Sequence, residues 1–143
     1  MTIAKVIAGR PDATVITATA TMAVREAIGI LAANRIGAVP VLEGGSVAGV
    51  FSERDVLYCV AREGSAALDR PVGEVMTAPA ITVSPETTVL AALSLITRRR
   101  IRHLPVMQDG AMVALVSIGD LVKHRIDAIE KEAEAMRSYI QAS

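Results

Sequence analysis

The sequence is poor in aromatic, histidine and cysteine side chains, and this scarcity excludes several classes of function. Phe51, Tyr58 and Tyr139 are its only aromatic residues, about 2% of the 143 residues. Such a chain cannot build a platform of stacked rings for single-stranded nucleic acid. It also has two histidines and one cysteine, a poor basis for a zinc site. Because the single Cys59 has no partner for an internal disulfide, we expect a reducing, cytoplasmic environment.

The sequence also lacks an excess of either charge and any long apolar run. Lys and Arg number 15, as do Asp and Glu, which argues against nucleic-acid or membrane-surface partners. Met1 to Arg10 lack the apolar run of a signal peptide, and no stretch reaches the roughly 18 apolar residues of a membrane span. The P-loop and G-x-G-x-x-G patterns are absent. We therefore expect neither a membrane protein nor an enzyme.

The chain repeats itself when it is shifted by 65 positions. Arg35-Ile36 then falls on Arg100-Ile101, and Pro40-Val41 falls on Pro105-Val106. The glycine, serine and aspartate that match are Gly45 with Gly110, Ser52 with Ser117, and Asp55 with Asp120. No gap is needed between Ile16 and Arg125, so the chain consists of two copies of one unit.

Each copy predicts the element order β-α-β-β-α, and the pair predicts one α/β body. The first strands are expected at Val15–Thr17 and Ile81–Val83. Apolar residues spaced i, i+3, i+4 and i+7 predict the helices that follow: Val24, Ala27, Ile28 and Leu31 in one copy, and Val89, Ala92, Leu93 and Ile96 in the other. Two strands with a glycine turn between them come next, and a closing helix begins at Ser52 or Ser117.

These motifs resemble the cystathionine-β-synthase (CBS) domain family over nearly the whole chain. The residues that carry the resemblance are V-G-E-V-M-T at Val72 to Thr77, I-R-H-L-P-V at Ile101 to Val106, and S-x-x-D at Ser52 to Asp55 and Ser117 to Asp120. The arrangement is similar to the small stand-alone bacterial pairs of the signal-transduction or inosine-monophosphate-dehydrogenase-related type. The resemblance implies a pseudo-symmetric Bateman module that dimerises and binds AMP, ADP, ATP, S-adenosylmethionine or, in some members, NAD(H).

The resemblance and the repeat together predict the domain boundaries. We expect repeat 1 over residues 1–61, a linker over 62–71, repeat 2 over 72–125 and a C-terminal amphipathic helix over 126–143. The chain has no room for the dehydrogenase barrel, so that activity is not transferred to it.

The closing motifs supply the first candidate site residues. The resemblance assigns ribose binding to Asp55 and Asp120, whose carboxylates can accept bonds from both hydroxyls. Ser52 and Ser117, with Ile118 beside the latter, lie where a helix N-terminus favours a phosphate. The alternative is that serine and aspartate only cap the helix.

Basic residues supply the phosphate candidates. By resemblance, Arg102 and His103 face the central cleft, where a guanidinium fork suits phosphate oxygens. Arg54 either reaches a phosphate or is a solvated side chain of the first helical turn. Arg98 and Arg99 are interpreted as a solvated helix end.

The adenine candidates are Thr77, Pro79 and Ala80, by resemblance to the family segment that lines the adenine slot. The corresponding residues of the first copy are Thr14 and Val15, and Thr17 is a further candidate near them. The family's sites are composite, so we expect Thr77, Ala80 and Arg102 to share a cleft with Ser52 and Asp55. A second cleft would combine Val15, Gly37 and Ala38 with Ser117 and Asp120.

The sequence thus predicts a non-catalytic sensor of adenosine nucleotides, with AMP as the first ligand and ADP, ATP or NAD(H) as alternatives, read by an unidentified protein partner. The rival interpretation is a structural interaction module with vestigial clefts. Ile126, Ile129, Ala133, Met136 and Ile140 form an a/d stripe. This stripe either docks on its own CBS body or pairs two chains, and we expect a homodimer.

Overall fold

Both halves of the chain contain the predicted helix, hairpin and closing helix, each half begins with an additional short helix, and only the first half keeps its predicted first strand. A computed structural model describes residues 1–9 and 15–142. The elements of the first half are α1 (Ile3–Ala8), β1 (Ala18–Thr19), α2 (Val24–Asn34), β2 (Ala38–Glu43), β3 (Ser46–Ser52) and α3 (Glu53–Glu63). A 3₁₀ segment (Gly64–Asp69) leads to α4 (Val72–Val75), α5 (Val89–Arg99), β4 (His103–Gln108), β5 (Ala111–Ser117) and α6 (Ile118–Ala142). The predicted α/β class with two CBS-type repeats is confirmed.

Two small sheets form the centres of the repeats. In the first, β1 pairs in parallel with β2, which pairs antiparallel with β3; in the second, β4 pairs antiparallel with β5. Both hairpins turn at two residues of positive φ, Gly44-Gly45 and Asp109-Gly110. Such a turn matches the twist of the flanking strands and favours glycine and aspartate, so this part of the fold follows from local sequence.

The first strand of each copy differs from the prediction of Val15–Thr17 and Ile81–Val83. β1 lies at Ala18–Thr19, and the second copy keeps only a bridge between Val83 and Val106. In the first copy the ladder continues because Ala20 N–H donates to Leu42 O at 3.0 Å. Pro85 stands at the equivalent position and has no N–H to donate, so the second ladder stops early.

The first helix of each repeat packs against the core of the other repeat. Ile3 in α1 is fully buried among side chains of repeat 2, such as Val89 and Leu104. Val72 and Val75 in α4 are buried among side chains of repeat 1. The two halves are therefore exchanged rather than placed side by side, which supports the pair as the folding unit.

Two of the predicted boundaries, 61/62 and 125/126, fall inside helices, whereas the boundary at 71/72 coincides with the start of α4. Helix α3 runs to Glu63, and the 3₁₀ segment buries Ala67, so the stretch predicted as a linker is largely structured. Helix α6 is continuous for 25 residues through Ile126, because no glycine or proline interrupts it after Gly119. Among the described residues, no helix combines the length and apolarity needed to cross a membrane.

We expect Ile3→Ala to destabilise the protein by about 2–5 kcal/mol, because it leaves a cavity in the repeat 2 core. Urea denaturation followed by circular dichroism measures this free energy of unfolding. Lys5→Ala, an exposed change on the same helix, is the control and should have little effect. Equal stabilities of the two variants would show that α1 does not contribute to that core.

Candidate functional site

A cavity of about 150 Å³ lies between the two repeats and is partly open to solvent. It is lined from repeat 1 by Gly37, Val50, Ser52, Glu53 and Arg54, and from repeat 2 by Thr77, Pro79, Ala80, Ile81, Arg100, Ile101, Arg102 and His103. Val50, Pro79, Ala80 and Ile81 give it an apolar part, polar groups make up about as much of its lining, and its arginines are exposed. The cavity is smaller than most pockets that enclose a whole small-molecule ligand, so a nucleotide-sized ligand would extend beyond it.

One close backbone contact joins the repeats at this cavity. Val50 N–H donates to Thr77 O at 3.0 Å, and Thr77 N–H donates to Val50 O at 2.9 Å. Gly49 permits this pairing, because a Cβ there would lie 2.5 Å from Thr77 O and 2.8 Å from the Met76 sulfur. Any side chain at position 49 would push the Thr77 segment away from β3.

Asp55 caps α3 and also reaches across to repeat 2. Its Oδ2 accepts from Ser52 N–H at 2.9 Å, and Ser52 Oγ accepts in return from Asp55 N–H at 3.4 Å. Its Oδ1 accepts from Thr77 Oγ1 at 2.9 Å. Asp55 thus caps α3, and the same carboxylate positions a cavity-lining threonine.

Two equivalent backbone hydrogen bonds connect the first residue of each closing helix to a residue that lines the cavity. Glu53 N–H donates to Gly37 O at 3.0 Å, and Ile118 N–H donates to Arg102 O at 2.9 Å. The register pairs His103 with Ser117 just as it pairs Ala38 with Ser52. The same backbone thus carries Arg102 and His103 in one copy and Gly37 and Ala38 in the other, so the basic side chains come mainly from repeat 2.

The cavity carries more positive than negative charge. Three lining guanidinium groups, those of Arg54, Arg100 and Arg102, face one lining carboxylate, that of Glu53. Arg54 Nη1 approaches Arg100 O at 3.5 Å, a long contact for a hydrogen bond. None of the three arginines forms an ion pair with a carboxylate within residues 1–9 and 15–142. Cationic groups gathered without a carboxylate partner favour an anionic ligand.

Burial lowers the pKa of His103 below its ordinary value of 6.5. Arg102 lowers this pKa further, while the carboxylates of Asp120 and Glu53 raise it. His103 is therefore mainly neutral at pH 7 when the cavity holds no anion. A phosphate placed beside it would favour the protonated imidazole.

The structure brings one predicted cleft together more completely than the other. Among the predicted residues, the cavity is lined by Ser52, Arg54, Thr77, Pro79, Ala80, Arg102, His103 and Gly37. Gly37 was predicted for the other cleft. Asp55 lies behind the wall, bonded to Thr77.

Apart from Gly37, the predicted residues of the second cleft that the structure describes lie outside this cavity. Ser117 and Asp120 form a capping pair at the start of α6, with Ser117 N–H donating to Asp120 Oδ2 at 2.8 Å. Ile118 is partly exposed, Ala38 is buried in β2, and Val15 and Thr17 are half-buried. Thr14 lies outside the described residues.

The sequence prediction missed several lining residues: Val50, Glu53, Ile81, Arg100 and Ile101. Glu53 stands between the predicted Ser52 and Arg54, so its position was the available signal. Arg100 takes a left-handed conformation, φ 54°, where α5 ends. That turn directs the chain from the helix to the cavity and has no signal in residue type, since glycine is the usual residue there.

We expect the imidazole of His103 to titrate below pH 6.5. Protonation then favours the unfolded chain, so the free energy of unfolding should fall as pH drops from about 6.5 through the lower folded pKa and should not respond to His103 above that range. NMR titration of the imidazole protons, and urea denaturation across this range, measure the two effects. His103→Gln assigns the resonance and should have a flatter pH dependence. A folded pKa at or above 6.5 would contradict the burial argument.

Comparison with known proteins identifies the family. The CBS domain family model matches twice, at residues 8–62 and 72–127. The mitochondrial CBS domain-containing protein CBSX3 of Arabidopsis thaliana is 37% identical over 123 residues, 82% of this chain and 60% of the plant protein. The chain thus spans about three fifths of that relative. The CBS-domain protein ATU1752 of Agrobacterium tumefaciens has a crystal structure with a TM-score of 0.82 and 34% identity, covering 87% of this chain and 99% of that one.

More distant structures of the same fold hold adenosine compounds. CBSX2 was solved in complex with AMP, at TM-score 0.72 and 22% identity over 89% of this chain and 97% of that one. The CBS pair of MJ0100 was solved with 5-methylthioadenosine and S-adenosyl-L-methionine, at TM-score 0.76 and 20% identity over 90% and 98% of the two chains. At these identities the likeness shows the fold alone. Since the family model covers both halves, this chain belongs to the CBS domain family as a tandem pair.

Proposed function

We propose that the chain is a non-catalytic regulatory module that binds an adenosine nucleotide, AMP first, in the cavity between its repeats. The observation that carries the proposal is the set of arginines without carboxylate partners at the rim of an apolar slot. Adenosine compounds in CBSX2 and MJ0100, which share this fold, support it. The proposal includes a reducing cytoplasm, expected from the single cysteine, and a downstream protein that reads the bound state.

The two parts of the cavity suit the two ends of a nucleotide. Thr77, Pro79, Ala80 and Ile81 form a small wall that suits a flat base without aromatic stacking. The exposed guanidinium groups at the rim suit a phosphate that stays partly in water. In this arrangement the base fills the cavity, and the phosphate accounts for the part of the ligand that extends beyond it.

Charge balance supports AMP among the adenosine nucleotides. Three lining arginines and Glu53 leave two positive charges when His103 is neutral. A phosphate monoester carries about −1.5 to −2 at pH 7, which nearly neutralises this charge. ADP and ATP carry more negative charge and would need Glu53 to be displaced, protonated or bridged by a cation.

The ribose role of Asp55 remains a proposal. Its carboxylate already accepts from Ser52 and Thr77, but an ionised carboxylate offers about four acceptor sites. A ribose hydroxyl would share Oδ1 with Thr77 or displace it. The parallel role of Asp120, with Ser117, Ile118, Val15, Thr17 and Ala38 around a second cleft, is proposed on the resemblance alone.

The rival function is a structural interaction module with empty clefts. Arginines around a vestigial cavity would gain by pairing with carboxylates, whereas none of the three does so in the described ranges. This observation favours a ligand. Homodimerisation is part of the proposal for either function.

We expect isothermal titration calorimetry to detect AMP binding, with weaker or comparable binding of ADP, ATP, NAD⁺ and NADH. Mass spectrometry of the nucleotide after incubation should return it unchanged, as a non-catalytic module requires. Absence of heat with every nucleotide at millimolar concentration would reject the binding proposal. Turnover of any of them would reject its non-catalytic part.

Two adjacent side chains should affect AMP affinity in opposite directions. We expect Arg54→Gln to weaken binding and Glu53→Gln to strengthen it, each by roughly three- to five-fold, because both groups are exposed and screened. Both changes lie in the first turn of α3. Because loss of the acid weakens this helix N-terminus and loss of the base strengthens it, the free energy of unfolding of each variant is measured alongside the affinity. Arg99→Gln, outside the cavity, is the control and should leave the affinity unchanged. A change of the same sign in both variants would contradict the proposed phosphate position.

A further inference from the structure

Helix α6 carries an apolar stripe that its own CBS body does not cover. Val122, Ile126, Ile129 and Met136 are 41%, 51%, 49% and 67% exposed. With the small Ala133 they alternate at spacings of 4, 3, 4 and 3, which extends the stripe predicted from sequence by one residue towards the N-terminus. The alternative interpretation, in which the stripe docks on its own CBS body, therefore does not hold for this part of the helix.

The side of α6 that does pack on the body is a different one. Leu121 is fully buried and Ala128 is half-buried. In heptad letters with Ile126 at position a, both are c residues, about a third of a turn from the a/d stripe. Beyond Ala128 every described residue of α6 is exposed. An isolated helical extension of that length is only marginally stable in water, so covering the stripe would stabilise it.

The charges that flank the stripe match a second copy of the same helix in parallel. In a parallel pair, each g residue approaches the e residue five positions later on the partner. Arg125 is a g residue, and the e residue five positions later is Glu130. The next g residue is Glu132, and its e residue is Arg137. Both combinations are attractive, and each forms twice in a symmetric dimer.

The antiparallel alternative is less favourable. An antiparallel overlap of the stripe from Val122 to Ile140 would place Glu130 near Glu130 and Glu132 near Glu132 of the second copy. Within the described ranges, none of the four flanking residues takes part in an intrachain ion pair. They remain available to a partner.

We propose that α6 pairs in parallel with α6 of a second copy, with Arg125–Glu130 and Glu132–Arg137 contacts between the chains setting the orientation. This inference rests on the homodimer included in the proposed function and specifies which helix forms it and in which direction. We choose a second copy of the same chain as the partner, because the charges that flank the stripe on one copy pair with the opposite charges on the other copy when the two helices are parallel.

Sedimentation equilibrium of the full chain tests the pairing through charge reversal. We expect Arg125→Glu and Glu130→Arg each to weaken the dimer about tenfold, and the double variant to recover the native dissociation constant. Residues five apart do not face each other within one helix, so recovery reports an interchain contact. Asp127→Lys, at an outer b position, is the control and should leave the dimer unchanged. A double variant as weak as the single ones would overturn the proposal.

Cross-linking of the full chain tests the direction. Met136→Cys should form an interchain disulfide rapidly with diamide, because a d residue faces itself in a parallel pair. The wild type, whose Cys59 is buried, is the control. A mixture of Ile126→Cys and Met136→Cys chains that links only 126 to 136 would instead show an antiparallel pair.

The variant Ile129→Glu distinguishes a wrong assignment of the helix from a wrong assignment of the dimer. If this variant remains as dimeric as the wild type, the chain dimerises by another face and the helix assignment fails while the homodimer stands. A wild type that is monomeric at high concentration removes both. AMP binding is measured independently, so neither result decides the nucleotide proposal.

Discussion

The backbone pairing of Thr77 with Val50 is the contact on which the site depends. It holds the Thr77 segment of repeat 2 against the last strand of repeat 1, and Gly49 is the residue that allows the approach. Asp55 then binds the Thr77 hydroxyl from the start of α3. These contacts fix the start of α3, strand β3 and the Thr77 segment to one another. The cavity walls therefore come from both repeats, and neither repeat could form the site alone.

The exchange of leading helices has the same consequence for stability. Because α1 completes the core of repeat 2 and α4 completes the core of repeat 1, separating the repeats would expose apolar surface on both. The cavity lies at the boundary that this exchange holds closed. A ligand that bridges the boundary binds the paired state only and would stabilise it by mass action.

Those parts of the molecule that depend on local residue type were predictable from sequence. The hairpins follow from Gly44-Gly45 and Asp109-Gly110, the closing caps from Ser52 with Asp55 and Ser117 with Asp120, and the repeat itself from the positions these residues share. The packing of α1 on the opposite repeat was not predictable, since a six-residue helix without a side-chain cap has a weak local signal. The ends of the first strands were missed for a different reason. Pro85 has no N–H to donate to a neighbouring strand, but this matters only once it is known which strand pairs there.

The site was predicted in part for a related reason. The residues that belong to motifs resembling the CBS family were predicted, and the cavity brings them together: Ser52, Arg54, Thr77, Arg102 and His103. Arg100 and Ile101 reach it because α5 ends in a left-handed residue. Gly37 lines the cavity for which it was not predicted. Gly37 before β2 and its equivalent Arg102 before β4 both line the same cavity, so one cavity receives the corresponding position of both repeats.

Helix α6 begins beside the cavity-lining His103, which pairs with Ser117, and carries the apolar stripe along its length. Its first turn is capped by Ser117 and Asp120, and the Asp120 carboxylate raises the pKa of the cavity-lining His103. A phosphate beside His103 would raise the same pKa, so ligand and cap both favour the charged imidazole. Because α6 runs without a break from that turn through the stripe, the capped turn beside His103 and the exposed apolar face belong to one helix.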